Sequence, residues 1–382
     1  MACGETNCAG ELCQLQQDEH VMVCILEGLE THFGKLNAQT GTMTTLFPIT
    51  AQDHAADYRD WHVRTVEGNK TMLAAVRGSG SQPREVWAGL IEGATTDSET
   101  GEAALRQLSS HQEHLAGVTF GTQEPFFWAA PDGLQLDGLL VRPPHVLRDE
   151  PLPTVVLVHG GPYFRWSQAL TLHWGAWTQW LALAGYVVLM ANPRGGSGHG
   201  EEFAAAARGD VGGADYGDVM SMVDAAIERG IVDPERLGIG GWSQGGFMTA
   251  WAVTQTERFK AAIMGAGVSD WGMMAMTSDL PIFEQELGGS APWNGLELHQ
   301  HLKLSPITFA GRVKTLVLIL HGEKDARVPV SQAIGYQRAL RHYGVPVELV
   351  IYPREPHNIT EHAHQIDLLQ RVRSWYDRWL RV

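Results

Sequence analysis

Three residues far apart along the chain have the types, order and settings needed to break an acyl bond. Gly241-Trp242-Ser243-Gln244-Gly245-Gly246 carries the pattern Gly-x-Ser-x-Gly. It follows the apolar run Arg236-Leu237-Gly238-Ile239-Gly240 and precedes the helix-like run Phe247-Met248-Thr249-Ala250-Trp251-Ala252-Val253. A strand, a sharp turn with small neighbours and a helix make a nucleophile elbow, which strains the serine backbone and exposes its hydroxyl. A serine hydroxyl attacks only when a base takes its proton. On this architecture an acid and then a histidine follow the serine along the chain. Asp325 lies just beyond the apolar run Thr315–Leu320, in His321-Gly322-Glu323-Lys324-Asp325. His357 lies just beyond Val347–Tyr352, in Pro353-Arg354-Glu355-Pro356-His357. Open parallel sheets form their ligand crevice at such C-terminal strand ends. An aspartate after a strand is often only a turn former, and the chain has 17 histidines. Order, position and mutual pairing together single out Ser243, Asp325 and His357 as a catalytic triad. His299, His301, His362 and His364 read as solvated or capping residues.

Acyl transfer also needs donors for the oxyanion of the tetrahedral intermediate. One is expected from the backbone N–H of Gln244, next to the serine. The other is expected from Gly161, because Thr154–Val158 is a β-rich run leading into His159-Gly160-Gly161-Pro162. Tyr163, Phe164, Trp271 and Met274 follow strand ends and are candidates for an apolar pocket on the acyl side of the cut bond. Glu201 and Glu202 open a helix, where negative charge is favourable for structural reasons alone. Such a triad needs neither metal nor cofactor, and none is expected.

These side chains must be positioned by alternating strands and helices. After Glu124 the pattern reads as a leading antiparallel pair, Phe126–Trp128 and Leu134–Leu140. It continues as strands at Val155–Val158, Tyr186–Met190, Leu237–Gly240, Ala261–Ala266, Thr315–Leu320 and Val347–Tyr352. Helices are expected at Trp174–Leu183, Asp215–Arg229 and His362–Leu380. The fold class is therefore α/β, a mostly parallel sheet with helices on both faces. Trp174, Trp177 and Trp180 lie at helical spacing and read as core. The first 123 residues read differently. Short strands at Val21–Leu26, Phe33–Asn37 and Thr42–Leu46 are followed about fifty residues later by Thr71–Val76 and Val86–Leu90, a weak internal repeat of all-β, blade-like character. The expected domains are 1–123 and 124–382, joined by a linker over Ser109–Glu124, with Asp97–Gly101 a polar loop.

The chain from about Glu124 onward resembles the prolyl oligopeptidase family of serine peptidases, closest to its acylaminoacyl-peptidase and dipeptidyl-aminopeptidase-like bacterial branch. The resemblance rests on His159-Gly160-Gly161-Pro162, Asn192-Pro193-Arg194-Gly195-Gly196-Ser197-Gly198-His199-Gly200 and Arg208–Tyr216. It also rests on the elbow, His321–Asp325 and Pro353–His357. It implies an α/β-hydrolase domain, a propeller before it, and peptidase activity on short peptides. It also implies that Ser243 is the nucleophile, His357 the base and Asp325 its orienter. The segment before the hydrolase domain is about a third of what seven blades need. A partial propeller of two to three blades is expected, with an open edge that suits self-association. An esterase on the same scaffold, or a non-catalytic interaction protein, is the alternative.

Composition narrows the partners. A formal net charge of −15 disfavours nucleic acid and anionic membranes. No apolar stretch reaches the roughly twenty residues of a membrane span. The N-terminus carries no basic and apolar pattern of a signal peptide. Cys3, Cys8, Cys13 and Cys24 are the chain's four cysteines. Their spacing fits no metal site, so unpaired thiols in a reducing cytoplasm are expected.

Overall fold

A computed structural model of the protein describes residues 20–45, 57–66, 70–91, 105–144, 151–294 and 300–381. The expectations for Cys3, Cys8, Cys13, His299 and the loop Asp97–Gly101 lie outside these residues. The chain divides into two compact units. One comprises Met1–Thr119 with Ser167–Thr171, and the other Phe120–Trp166 with Leu172–Val382.

The first unit holds two antiparallel sheets. Strands β1 (His20–Glu27), β2 (Glu30–Asn37) and β3 (Met43–Thr45) form one, in that order. Strands β4 (Asp57–Val66), β5 (Lys70–Gly78), β6 (Glu85–Ile91) and β7 (Arg106–Gln107) form the other. Four antiparallel strands are the content of one propeller blade. β4 escapes the sequence pattern because a register shift between Arg59 and Trp61 breaks its alternation. Met22, Phe33, Val63, Leu73 and Ala75 make a small core. The expected linker is anchored where it begins. The buried carboxylate of Glu85 accepts from the Ser109 hydroxyl and, at 2.6 Å, from the Gln112 amide. Ser167–Thr171 joins this unit through Gln168 N–H to Leu29 O, 3.3 Å, and Leu170 N–H to Ser79 O, 2.8 Å.

The second unit is built on eight strands: β8 (Thr122–Ala129), β9 (Gln135–Arg142), β10 (Leu152–Val158), β11 (Val187–Ala191), β12 (Val232–Trp242), β13 (Ala261–Gly265), β14 (Leu316–Gly322) and β15 (Val347–Tyr352). Their order is β15-β14-β13-β12-β10-β11-β9-β8. β8 and β9 pair antiparallel, β9 pairs antiparallel with β11, and the remaining pairs are parallel. This is the α/β-hydrolase arrangement that the alternation predicts. β10 and β13 are apolar along their length because both sheet faces are covered.

On one face α3 (Ala214–Glu228), α4 (Gln244–Gln255) and α8 (Ser331–His342) pack on Val156, Val158, Leu189, Met264 and Ile319. On the other lie α1 (Thr178–Leu183) and α9 (His362–Leu380). Tyr376 of α9 is fully enclosed and donates its hydroxyl to Ile239 O at 2.9 Å. Trp180 of α1 donates its indole N–H to Leu369 O at 2.7 Å. Three further helices are short. They are α2 (Glu201–Ala205), which Glu201 and Glu202 open as exposed residues, α5 (Trp271–Thr277) and α7 (His301–Leu304). A fourth, α6 (Pro281–Leu287), follows α5.

α1 begins at Thr178 rather than at Trp174. His173 turns the chain first, its ring accepting from Gly175 N–H at 3.0 Å and its carbonyl from Ala176 N–H at 3.0 Å. Trp174 consequently sets its ring edge-on to Trp242, 4.8 Å between centroids, while Trp177 is fully buried.

Tyr376 and Trp177 both lie against Gly240, where a Cβ would meet the Tyr376 hydroxyl at 2.5 Å and the Trp177 ring at 2.8 Å. Tyr376→Phe removes one buried hydrogen bond and is expected to cost about 1 kcal/mol. Trp177→Ala opens a cavity under the sheet and is expected to cost about 3–5 kcal/mol. Chemical denaturation of both variants checks the ranking.

Candidate active site

Ser243 occupies the turn between β12 and α4 with φ 61° and ψ −119°. A non-glycine residue is rarely held there, at a cost of about 1–3 kcal/mol. The turn closes because its neighbours lack side chains. A Cβ on either Gly241 or Gly245 would run into Val158 O. Ser243 N–H donates to Gly265 O at 2.8 Å and Ser243 O accepts from Phe247 N–H at 2.9 Å, which locks the serine between β13 and α4. Its side chain is partly exposed, at the C-terminal end of a central strand.

Asp325 and His357 lie beyond the ends of the next two strands but one, β14 and β15, and they meet. His357 Nδ1 is 2.7 Å from Asp325 Oδ2. A carboxylate only accepts, so Nδ1 carries the proton and the lone pair of Nε2 is left for another group. The Asp325 side chain has no exposed surface. Burial pushes its pKa up, but hydrogen bonding from His321 and His357 outweighs this and brings the pKa down to about 2. Val328 N–H holds the other oxygen, Oδ1, at 2.8 Å.

The His357 loop is tied down on three sides. Trp242, beside the serine, donates its indole N–H to His357 O at 3.0 Å. Lys324 N–H donates to Glu355 O at 2.8 Å, and Arg354 N–H to Glu323 Oε2 at 2.8 Å, which stitches the Asp325 loop to the His357 loop. Glu355 has no exposed surface. Its carboxylate accepts from Thr360 N–H (2.7 Å), the Thr360 hydroxyl (2.9 Å), Glu361 N–H (2.9 Å) and His364 Nδ1 (2.7 Å). Burial opposes ionisation there too, and these donors bring the group down to about 2. Glu355, Glu361 and His364 also place ligand atoms within 4.8 Å of one another. The Glu355 oxygens are already occupied by these donors, and Arg354 pairs with Glu361 at 2.7 Å. Ser243 Oγ is not hydrogen-bonded to His357; catalytic contacts of this kind are often long until substrate binds.

The loop after β10 approaches the serine from the other side. A Cβ built on Gly160 would lie 3.6 Å from Ser243 Cβ. Gly161 has φ 121°, a conformation side chains resist, and a Cβ there would stand 2.6 Å from Tyr163 N. His159 is buried, and burial lowers its pKa to about 4, so it is neutral. Its Nδ1 lies 2.7 Å from Gly160 O and must donate to it. In a trans peptide the C=O and N–H point oppositely. Anchoring Gly160 O therefore turns the Gly161 N–H away from His159. The Gln244 N–H belongs to the first turn of α4, where no carbonyl four residues back can accept it.

Not every expected site residue has surface to offer. Trp271 and Met274 are 0% and 1% exposed. Trp271 packs edge-on to Phe247 with centroids 5.1 Å apart. Both belong to the inner face of α5, so their assignment to a pocket is corrected to core. Tyr163 and Phe164 are 43% and 38% exposed. Tyr163 lines a cavity of about 320 Å³ with Ala204, Arg208, Phe283, Glu286 and Leu287, and Arg208 and Glu286 form an ion pair at it. His301, expected to be solvated or capping, is 1% exposed. His364 serves Glu355.

The Asn192–Gly200 segment proves architectural. Asn192 holds Trp166 N–H at 2.7 Å and donates to Asp137 at 2.8 Å. Arg194 donates to Asp218 through Nε, 2.9 Å, and Nη2, 2.6 Å. His199 meets Asp137 at 2.8 Å, and that hydrogen bond raises its pKa.

The profile of the prolyl oligopeptidase family matches residues 173–382. A Bacillus subtilis protein described as the uncharacterized peptidase YuxL is 38% identical over 286 residues, covering 73% of this chain and 42% of its own length. The rat acylamino-acid-releasing enzyme is 27% identical over 355 residues, 89% of this chain and 46% of its own. The solved structure of Pyrococcus horikoshii acylaminoacyl peptidase superposes with a TM-score of 0.79 at 25% identity, covering 94% of this chain and 54% of that one. The chain thus spans less than half the length of these two sequence relatives. No helix among the described residues is long and apolar enough to cross a membrane.

The two buried carboxylates predict how the second unit responds to acid. In an unfolded chain Asp and Glu titrate at about 4, whereas Asp325 and Glu355 are folded at about 2. Their contribution is complete above about pH 4 and is lost as pH falls towards 2. Glu355→Gln is expected to lower stability at pH 7 and to flatten its decline between about pH 4.5 and 2.5. Urea denaturation across that range checks both.

Proposed function

The chain belongs to the prolyl oligopeptidase family of serine peptidases, and we propose that it hydrolyses peptide bonds in short peptides through an acyl-enzyme on Ser243. The observation that carries this reading is a serine held at a strained elbow, whose neighbour Trp242 bonds the backbone of a half-buried histidine paired with a buried aspartate. His357 Nε2 takes the Ser243 proton as Oγ bonds to the substrate carbonyl carbon. The amides of Gln244 and Gly161 receive the resulting oxyanion. The tetrahedral adduct collapses, the C–N bond breaks, and His357 returns the proton to the leaving amine. Water then repeats the sequence on the ester, its proton passing through His357 to Ser243. Asp325 keeps the imidazole in the Nδ1–H tautomer and stabilises its positive charge.

The cavity beside Tyr163 is suited to the side chain on the acyl side of the cut bond. Tyr163 stands two residues beyond Gly161, and Phe283, Leu287 and Ala204 give the cavity an apolar wall. A reducing compartment suits a catalytic unit that holds none of the chain's four cysteines.

Ser243→Ala is expected to lower turnover of an aminoacyl p-nitroanilide on the order of a million-fold and to abolish labelling by a fluorophosphonate. Wild-type protein that neither labels at Ser243 nor cleaves the anilide would instead mark an interaction protein. Cleavage of a p-nitrophenyl ester without the anilide would mark an esterase.

A further inference from the structure

A second histidine stands behind the aspartate. His321 is the penultimate residue of β14 and is fully buried. Its Nε2 lies 2.7 Å from Val328 O, so this nitrogen carries the proton. The same atom is 3.4 Å from Asp325 Oδ2, the oxygen that faces His357. Its Nδ1 is enclosed without a hydrogen-bond partner. A buried imidazole with one bare nitrogen is an expensive way to fill space, because an apolar side chain of similar volume strands no polar atom. The placement explains the expense. Val328 is fixed through its carbonyl by His321, and the N–H of the same residue fixes Asp325 Oδ1. The carboxylate is therefore gripped through both oxygens, one by way of Val328 and the other by His357 with His321 alongside.

We propose that His321 is a positioning residue for the reaction, a donor that sets the plane of the Asp325 carboxylate so that Oδ2 stays aimed at His357. This rests on the reading of Ser243, His357 and Asp325 given above. His321 touches neither substrate nor the reacting atoms. Its influence passes through Asp325 to the imidazolium that forms as bonds break. Without it the carboxylate is free to rotate away, and the protonated imidazole loses part of its partner.

The test compares His321→Leu with His321→Gln, whose amide nitrogen reaches the place of Nε2. Rates on an aminoacyl p-nitroanilide are normalised to active sites titrated with a fluorophosphonate, so that misfolded protein is not counted. His321→Leu is expected to lower kcat about ten- to a hundredfold with KM within about twofold. The acid limb of the kcat/KM profile is expected to move down by about half a pH unit, because a protonated base is less stabilised. His321→Gln is expected to restore most of kcat and the position of the limb. Wild-type kcat and limb in the leucine variant would overturn the proposal. So would a folded, titratable glutamine variant as impaired as the leucine one. Should His321→Leu fail to fold, the glutamine variant and His321→Asn, whose shorter amide falls short of Val328 O, make the same comparison. Ser243→Ala is run alongside. If it keeps the wild-type rate, the reading of the site fails; if it is inactive while His321→Leu is normal, only the role of His321 fails.

Discussion

A carboxylate with no exposed surface stays ionised at Asp325 because donors surround it: Val328 N–H on one oxygen, His357 Nδ1–H on the other, and His321 close by. Removing water from a charge costs several kcal/mol, which only nearby donors and opposite charge can return. That requirement dictates much else at this end of the sheet. The loop after β14 must bend so that Val328 faces back on Asp325. The loop after β15 must carry His357 to the same oxygen. Glu355 solves the second problem by the same means as the first, since its own enclosed carboxylate gathers four donors from Thr360, Glu361 and His364. Two buried anions thus act as centres about which two loops are wound, and Lys324 and Arg354 join the loops directly.

The serine side of the site is organised by strain and by the absence of side chains. Ser243 holds a conformation that costs about 1–3 kcal/mol. The returns come from α4, whose residues from Gln244 to Thr254 are all buried, and from the bonds of Ser243 to Gly265 and Phe247. Trp242 joins this side to the other. Its ring is packed by Trp174 and its N–H holds the His357 backbone. The residue beside Ser243 therefore links the elbow to the His357 loop.

Much of this was legible in the sequence, and the reasons can be stated. Ser243, Asp325 and His357 each follow an apolar run. Those before Ser243 and Asp325 are buried on both faces, while the run before His357 is the half-exposed edge strand β15; such runs announce parallel strands whose C-terminal ends share one edge. The inner parallel strands of the second unit were readable for the same reason, whereas β8 showed only through the alternation of Phe126 and Trp128. The misses have equally physical causes. Trp271 and Met274 sit just past a strand end, where a site would be, but with Ala275 they form an i, i+3, i+4 stripe, the mark of a helix face turned inward. That signal was present and outweighed by position. β4 hid behind a bulge, and the start of α1 behind the turn made by His173. The attachment of Ser167–Thr171 to the first unit depends on bonds to Leu29 and Ser79, residues nearly a hundred or more positions away, and local pattern carries no trace of it. His321 was written in the sequence four residues before Asp325, yet at the end of a strand it resembled any histidine that ends a run.

Motif and mechanism separate clearly in the Asn192–Gly200 segment. Its composition, with a cation, an amide and an imidazole close together, has the look of a ligand-binding loop. In the fold each polar group is spent internally: Asn192 on Trp166 and Asp137, Arg194 on Asp218, His199 on Asp137. Asp218 is completely buried on α3 and Asp137 lies in β9. The segment therefore fastens β9, β11 and α3 to one another. Gly196 stands close enough to His159 that a Cβ there would come within 3.8 Å of its Nε2. The histidine that turns the Gly160–Gly161 peptide is thus backed by this framework. The polar groups of this segment therefore stand one layer behind the Gly160–Gly161 loop, where they brace backbone and are not offered to solvent.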